Sequence, residues 1–242
     1  MLPWKPAVEY TLLILLSLYL LFYGIIPAWK SIHSDFPNYY VSSRIVLEGT
    51  SVERLYDDGF FSEKAKEYGI NRHTRFSPFP PATAFILLPL ASLDPLTAQR
   101  IWTLVNIVAL GACVYLLKKI TGWQYRPTAV FVLLGGIGLA TNFRFGQFYL
   151  MLSLMIMAAY LLEKNGKHGW AGLLLGLGMV LKYFPAVFVV GYAISRSWKL
   201  VFYSVGTVFF LIALQAVVFG PDLLQHYFNQ VFWPHLEGKI GG

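Results

Sequence analysis

Residues 10–28 read YTLLILLSLYLLFYGIIPA, nineteen positions without a charge, with Lys5 before them and Trp29-Lys30 after. At about 1.5 Å of rise per residue, a helix of this length matches a hydrocarbon core of about 30 Å. The run is long for a signal-peptide core and lacks a clear small-x-small cleavage site. It reads as a retained first transmembrane helix.

The rest of the chain repeats the pattern. Apolar runs follow at 78–93, 98–117, 127–141, 148–162, 170–181, 184–194 and 200–219. Of 242 residues, 57% are apolar and 13% charged, and mean hydropathy is +0.57. A soluble domain carries about twice that charge, so a disordered chain, a disulfide scaffold and a cytosolic Rossmann or barrel enzyme are excluded. The one cysteine, Cys113, has no partner within the chain for a disulfide. Lipid leaves the backbone of an open strand unsatisfied, so the spans are expected to be helical. The expected fold is all-α, a multi-pass transmembrane bundle with about seven or eight membrane segments. It forms one membrane domain, with a first helix at 10–28, an outer loop at 29–77, a helical bundle at 78–219 and a polar-aromatic tail at 220–242. That tail reads as the start of a further C-terminal part.

The net charge of +7 lies in short connections and not in one dense soluble face, which argues against nucleic acid as a partner. Lys118, Lys119 and Arg126 form one basic connection, Lys164 and Lys167 a second, Arg196 and Lys199 a third. Placing all three in the cytoplasm makes Lys182 the tip of a hairpin on the far side. Arg144 to Gln147, the 29–77 loop and the tail share that side. Segment 78–93 then enters and leaves from the outside as a re-entrant piece; if it is a true span instead, the later loops invert. Around Lys182, one long kinked helix and two short antiparallel helices both remain open.

The outer loop carries seven basic and seven acidic residues, so it has no net charge. Phe36, Tyr40, Ser43 and Leu47 fall on one helical face, with Gly49 as the stop. A second helix fits from Phe60 to Tyr68, with Asp57 or Asp58 as cap and Gly69 as terminator. Both are expected along the membrane surface, with Tyr39, Tyr40 and Phe61 at headgroup depth. Asp35 lies a few residues beyond the first helix, followed by Pro37 in the next turn. From spacing it reads first as a helix cap, a role compatible with a carboxylate able to accept a proton. His33-x-Asp35 lacks further ligands at metal-binding spacing, so no metal site is expected. Gly135-Gly136-x-Gly138 and Gly172-x-x-x-Gly176 lie inside apolar runs and read as close helix packing. His226 and His235 in the tail read as part of interfacial packing by Tyr227, Phe228, Phe232 and Trp233.

A set of ordered motifs adds to this. Asp35-x-x-x-Tyr39-Tyr40, Leu55-Tyr56-Asp57, Phe76-x-Pro78-x-Pro80-Pro81 and Pro89-Leu90-Ala91 come first. Trp102 with Asn106, Gly146-Gln147, Gly172 through Gly178 and Lys182-x-x-Pro185 follow. Together they resemble glycosyltransferase family 87, membrane enzymes of GT-C type. The chain is shorter than is usual for that family, which reads as a fragment or as a minimal homologue without the acceptor-binding half. Phe76 stands where Tyr would be common, and Phe148-Tyr149 follow Gln147 where Asn would be more usual.

The resemblance implies a polyprenyl-phosphate sugar as donor, a lipid or glycan acceptor, and mannosyl or arabinofuranosyl transfer at the plasma membrane, without a cofactor. Asp35 would be the catalytic base, with inversion at the anomeric carbon. Arg75, Arg144 and Lys182 would bind the donor phosphate, and Tyr39, Tyr40 and Gln147 would contact substrate. Each cation also has a structural role open to it: interfacial anchoring for Arg75, an ordinary loop charge for Arg144, snorkelling from an unbroken helix for Lys182. A lipid or sugar flippase and a non-catalytic membrane subunit remain alternatives. The flippase predicts matching broken helices in two halves, and only the Lys182 break is legible.

Overall fold

Pro6 opens the first helix at a position where its missing N–H costs nothing. The computed structural model describes residues 5–49 and 51–239, and among them there is no strand. The last three residues of the expected tail lie outside the described residues. In chain order the helices are α1 (Pro6–Leu20), α2 (Ile26–Lys30), α3 (Asp35–Glu48), α4 (Asp58–Glu67), α5 (Pro95–Thr121), α6 (Tyr125–Leu133) and α7 (Gly136–Arg144). Then come α8 (Tyr149–Lys164), α9 (His168–Leu181), α10 (Ala186–Ile194), α11 (Trp198–Phe219), α12 (Pro221–His226) and α13 (Trp233–Leu236). The chain up to Phe36 with Leu96–Gly166 forms one compact unit; Pro37–Pro95 with Lys167 onward forms a second.

In the first unit a π-helical turn, Leu21–Ile25, joins α1 to α2. It seats Gly24 on α7, where a Cβ would lie 3.1 Å from the carbonyl oxygen of Ala140. α6 and α7 pack along α1 and this turn, around a core of Leu20, Cys113, Leu139, Phe143 and Leu150. One end is basic. The Arg126 Nε lies 3.8 Å from the buried Glu9 carboxylate, and its guanidinium covers the Tyr10 ring at 5.0 Å. At the other end the buried Gln99 donates to the carbonyls of Ala28 (3.1 Å) and Ser31 (3.3 Å), binding the start of α5 to the end of α2. The connection holding Lys118, Lys119 and Arg126 and the segment holding Asp35 therefore sit at opposite ends of this unit.

Two expectations for this unit need correction. The apolar run at 127–141 is two helices. Gly136, at φ +51°, ends α6 and starts α7, and a Cβ there would meet nothing within 4 Å. The Gly135-Gly136-x-Gly138 group thus breaks a helix and does not pack against one. In addition, α7 and α8 meet at 117°, so Lys182 does not mark the only broken segment.

In the second unit, Gly172 and Gly176 do pack. A Cβ on Gly172 would fall 2.4 Å from Tyr203 Cβ, and one on Gly176 2.6 Å from Thr207 Cβ. Both contacts advance together along the two helices, so α9 and α11 run parallel. The chain must therefore travel back between them through α10. Lys182 leaves the helix in an extended conformation (φ −151°, ψ 130°). This selects the turn-back at Lys182 and removes the unbroken helix. The segment at 78–93 contains only two short 3₁₀ stretches, Pro81–Phe85 and Leu88–Leu90, too short to span.

The outer-loop helices form where expected. α3 ends before Gly49 (φ +66°) and α4 before Tyr68 and Gly69 (φ +84°). Asp57 caps α4 by accepting from the Phe60 N–H at 3.0 Å. That bond, aided by Arg54 at 2.7 Å, holds its carboxyl below the usual range. Their setting differs from expectation, because Tyr39, Tyr40 and Phe61 are buried inside the protein instead of presenting their rings to a membrane surface. Val41, Ser42, Ser43 and Ile45 are buried as well, while Leu47 is exposed. α3 is enclosed by protein on more than one face, which a single apolar stripe does not anticipate.

Among the described residues, three stretches are long and apolar enough to cross a membrane: Pro6–Glu48, Pro95–Thr121 and Trp198–Phe219. The bent pair α7 and α8 makes a fourth if counted as one span. The expectation of seven or eight counted every apolar run, whereas α6, α7 and α10 have nine residues each and α9 fourteen.

Candidate functional site

Asp35 is the first residue of α3, one position inside the cap that its spacing suggests. Ser34 precedes it at φ +35°, and this unusual backbone turns the chain sharply into the helix. The Asp35 carboxylate is half-buried. Its Oδ2 accepts from Gln147 Nε2 at 2.7 Å, and its Oδ1 accepts from the Ser34 hydroxyl at 2.9 Å. The first unit thus brings together Asp35 and Gln147, residues 112 apart in sequence.

The 145–148 turn between α7 and α8 makes that contact possible. The Phe36 N–H donates to the Phe145 carbonyl at 2.8 Å, so the opening turn of α3 is bound directly to it. Gly146 (φ +66°) lies so close that a Cβ would stand 2.7 Å from Phe36 Cβ. The buried Trp102 indole donates to the Gly146 carbonyl at 2.8 Å. Two residues not singled out for this site lie beneath. Asn142 Oδ1 accepts from the Tyr149 N–H at 3.1 Å, its backbone carbonyl accepts from the Gln147 N–H at 2.9 Å, and its Nδ2 donates to Asn106 Oδ1 at 2.9 Å. Asn106 Nδ2 in turn donates to the Trp102 carbonyl at 3.0 Å. Both asparagines are buried. The readable signal was an uncharged amide within apolar sequence, which must find partners inside the protein. Arg144 ends α7 with its side chain exposed.

The second unit holds the remaining candidates. The Lys182 Nζ lies 5.4 Å from the centre of the Phe79 ring, and Tyr39 meets that ring edge-on at 4.9 Å. Tyr56 donates to the Phe79 carbonyl at 2.7 Å and its ring lies 5.8 Å from those of His226 and Tyr227. Burial, with Tyr227 alongside, pushes the Tyr56 phenol well above the usual range. Tyr227, Phe228, Phe232 and Trp233 pack ring against ring. Tyr40 is a packing tie, its hydroxyl donating to the Leu93 carbonyl at 2.6 Å and accepting from Arg44 at 2.9 Å. Arg75 is half-buried, and its backbone N–H donates to Asn38 Oδ1 at 3.4 Å. One residue beyond Lys182, Tyr183 lines an apolar cavity with Pro80, Pro81, Val180, Ile212 and Phe228. Among the described residues no group of three His, Cys, Asp or Glu side chains is placed to hold a metal ion.

The sequence model of glycosyltransferase family 87 matches residues 78–239, about two thirds of the chain. No curated protein and no solved structure matches the chain.

Proposed function

Because the chain belongs to glycosyltransferase family 87, we propose that it transfers a mannose- or arabinofuranose-type sugar from a polyprenyl-phosphate donor to a lipid or glycan acceptor at the plasma membrane. Membership makes it a glycosyltransferase, and its apolar helices make it a membrane protein. The observation that carries the finer reading is the half-buried Asp35 carboxylate, held by Gln147 just beyond the end of the first membrane helix.

In the proposed reaction the acceptor hydroxyl oxygen attacks the anomeric carbon from the face opposite the phosphate. The new glycosidic C–O bond forms as the bond to phosphate breaks, and its electron pair leaves with the polyprenyl phosphate. The hydroxyl proton passes to Asp35. Inversion follows from a single displacement. The departing phosphate is stable as an anion and needs positive charge more than a proton. Lys182 serves that need, beside a cavity whose apolar lining suits an isoprenoid. Arg75 and Arg144 are further candidates for binding donor phosphate, each with the planar fork that matches phosphate oxygens. Tyr39 shares the Phe79 ring with Lys182 and takes part in shaping the donor's place. Tyr40 supports it through α3, and Gln147 acts at Asp35.

The test is transfer from radiolabelled polyprenyl-phosphate mannose and arabinofuranose, comparing wild type with Asp35→Asn in the same membranes. The variant is expected to fold and to lose about a hundredfold or more of its turnover. Equal turnover removes Asp35 as the base. A second reading, a lipid-linked sugar flippase, draws on the two broken helices, at 145–148 and at Lys182. It predicts that label crosses a proteoliposome bilayer still attached to its polyprenyl phosphate, with no new glycosidic bond.

A further inference from the structure

Gln147 contacts a carboxylate and not open space, and what lies behind it explains why. Its amide nitrogen reaches Asp35 Oδ2 at 2.7 Å from a turn whose backbone is fixed at three points. The Asn142 backbone carbonyl accepts from the Gln147 N–H, the Asn142 side chain accepts from the Tyr149 N–H, and the Trp102 indole donates to the Gly146 carbonyl. Asn142 is only 3% exposed and Asn106 1%, and the one amide donates to the other at 2.9 Å. Amides buried in an apolar core are costly unless paired; Asn142 pairs with the turn below Asp35, and Asn106 pairs with Asn142 and with the Trp102 carbonyl of its own helix.

We propose that Asn142, steadied by Asn106, is a positioning residue: acting through Gln147, it fixes the rotation of the Asp35 carboxylate. Oδ2 stays with Gln147, and Oδ1 is the oxygen presented to an acceptor hydroxyl. In the resting protein the exposed Ser34 hydroxyl, 2.9 Å away, occupies that oxygen. Orientation of a base within a fraction of an ångström is worth up to about a hundredfold in rate. The inference rests on the reading of Asp35 as the base, and it reassigns Gln147 from substrate contact to carboxylate support.

The test has a readout that needs no substrate. A water-soluble carbodiimide with an amine labels carboxylates, and mass spectrometry follows the peptide carrying Asp35. Gln147→Ala and Asn142→Ala are each expected to raise the Asp35 labelling rate several-fold in the full-length protein. The double variant is expected to match Gln147→Ala alone, because Asn142 acts through that side chain. Asn106→Leu, close in size and suited to an apolar core, is expected to raise labelling without preventing folding. It keeps the test decisive should Asn142→Ala not fold. In the transfer assay, Gln147→Ala is expected to lower kcat about a hundredfold and to leave the donor KM within about twofold. A wild-type labelling rate in both asparagine variants, or effects that add in the double variant, overturns the proposal. So does a raised KM with unchanged kcat in Gln147→Ala, which would make Gln147 a substrate contact. Full activity of Asp35→Asn would overturn the base assignment instead, a result separate from the labelling.

Discussion

Gly146 and Gly136 both adopt positive φ, at +66° and +51°, yet only one of them is crowded. A Cβ at Gly136 meets nothing within 4 Å; one at Gly146 would sit 2.7 Å from Phe36 Cβ and 3.0 Å from Phe36 Cδ2. Alanine at either position incurs the left-handed backbone cost of about 1–2 kcal/mol. At Gly146 the overlap adds about 1–3 kcal/mol, because Phe36 is fully buried and tied by its own N–H to Phe145. Gly146→Ala is therefore expected to destabilise the protein by about 2–5 kcal/mol in total, against about 1–2 for Gly136→Ala. The strain acts where α3 begins, so Asp35 and Gln147 are pushed apart. Thermal unfolding in detergent, followed by intrinsic fluorescence, reads the stability; sugar transfer below the melting point reads the site. Gly146→Ala should melt several degrees below Gly136→Ala and should lose transfer while still folded. Equal melting temperatures for the two variants, with wild-type transfer by both, would refute the claim that the 145–148 turn and α3 are held in direct contact.

Three further outcomes follow from other contacts. Gly176→Leu should separate α9 from α11 and cost at least about 1–3 kcal/mol, since even a Cβ collides with Thr207; loss of heat stability in detergent checks it. Tyr68→Phe removes the 2.7 Å bond to Glu48 and should cost about 1 kcal/mol. Burial first, then the Glu48 carboxylate, raises the folded-state titration of Tyr68, so its contribution is complete below about pH 10 and fades as pH climbs above that value. The variant should accordingly lose less stability than wild type when denaturant melts at pH 9 and pH 11 are compared. Lys182→Met, which keeps length and loses charge, should raise the donor KM about tenfold or more and affect kcat less; an unchanged KM would detach Lys182 from the donor phosphate.

Much of the local structure was legible because it depends on residues near in sequence. Asp57, Gly49 and Gly69 stop or start helices by their own chemistry, and all three do so as read. Lys182 followed by Pro185 signalled a break, and the chain does turn back there. The glycine groups were ambiguous. A glycine that lets two helices touch and one that lets a helix stop look alike in an apolar run, and only the partner helix tells Gly176 from Gly136. Counting spans from hydropathy failed because a nine-residue helix such as α6 reads in sequence like a piece of a spanning one. The burial of Tyr39 and Tyr40 was hidden for a similar reason, as aromatic residues suit an interface and a core equally. At the site, Asp35 stood out as a lone carboxylate close to the membrane, but its partner lies 112 residues away. No local pattern foretells that pairing; the two asparagines beneath it show in sequence only as amides in apolar runs, without their partners.

The parallel seam between α9 and α11 changes its lining along its length. Small residues occupy its first half, where Gly172 and Gly176 let the two backbones nearly touch. Beyond Gly178, Val180 and Leu181 of α9 and Leu211 and Leu214 of α11 line a cavity. The seam thus passes from backbone contact at its glycines to an apolar hollow where the glycines run out, in the last turn of α9 before Lys182.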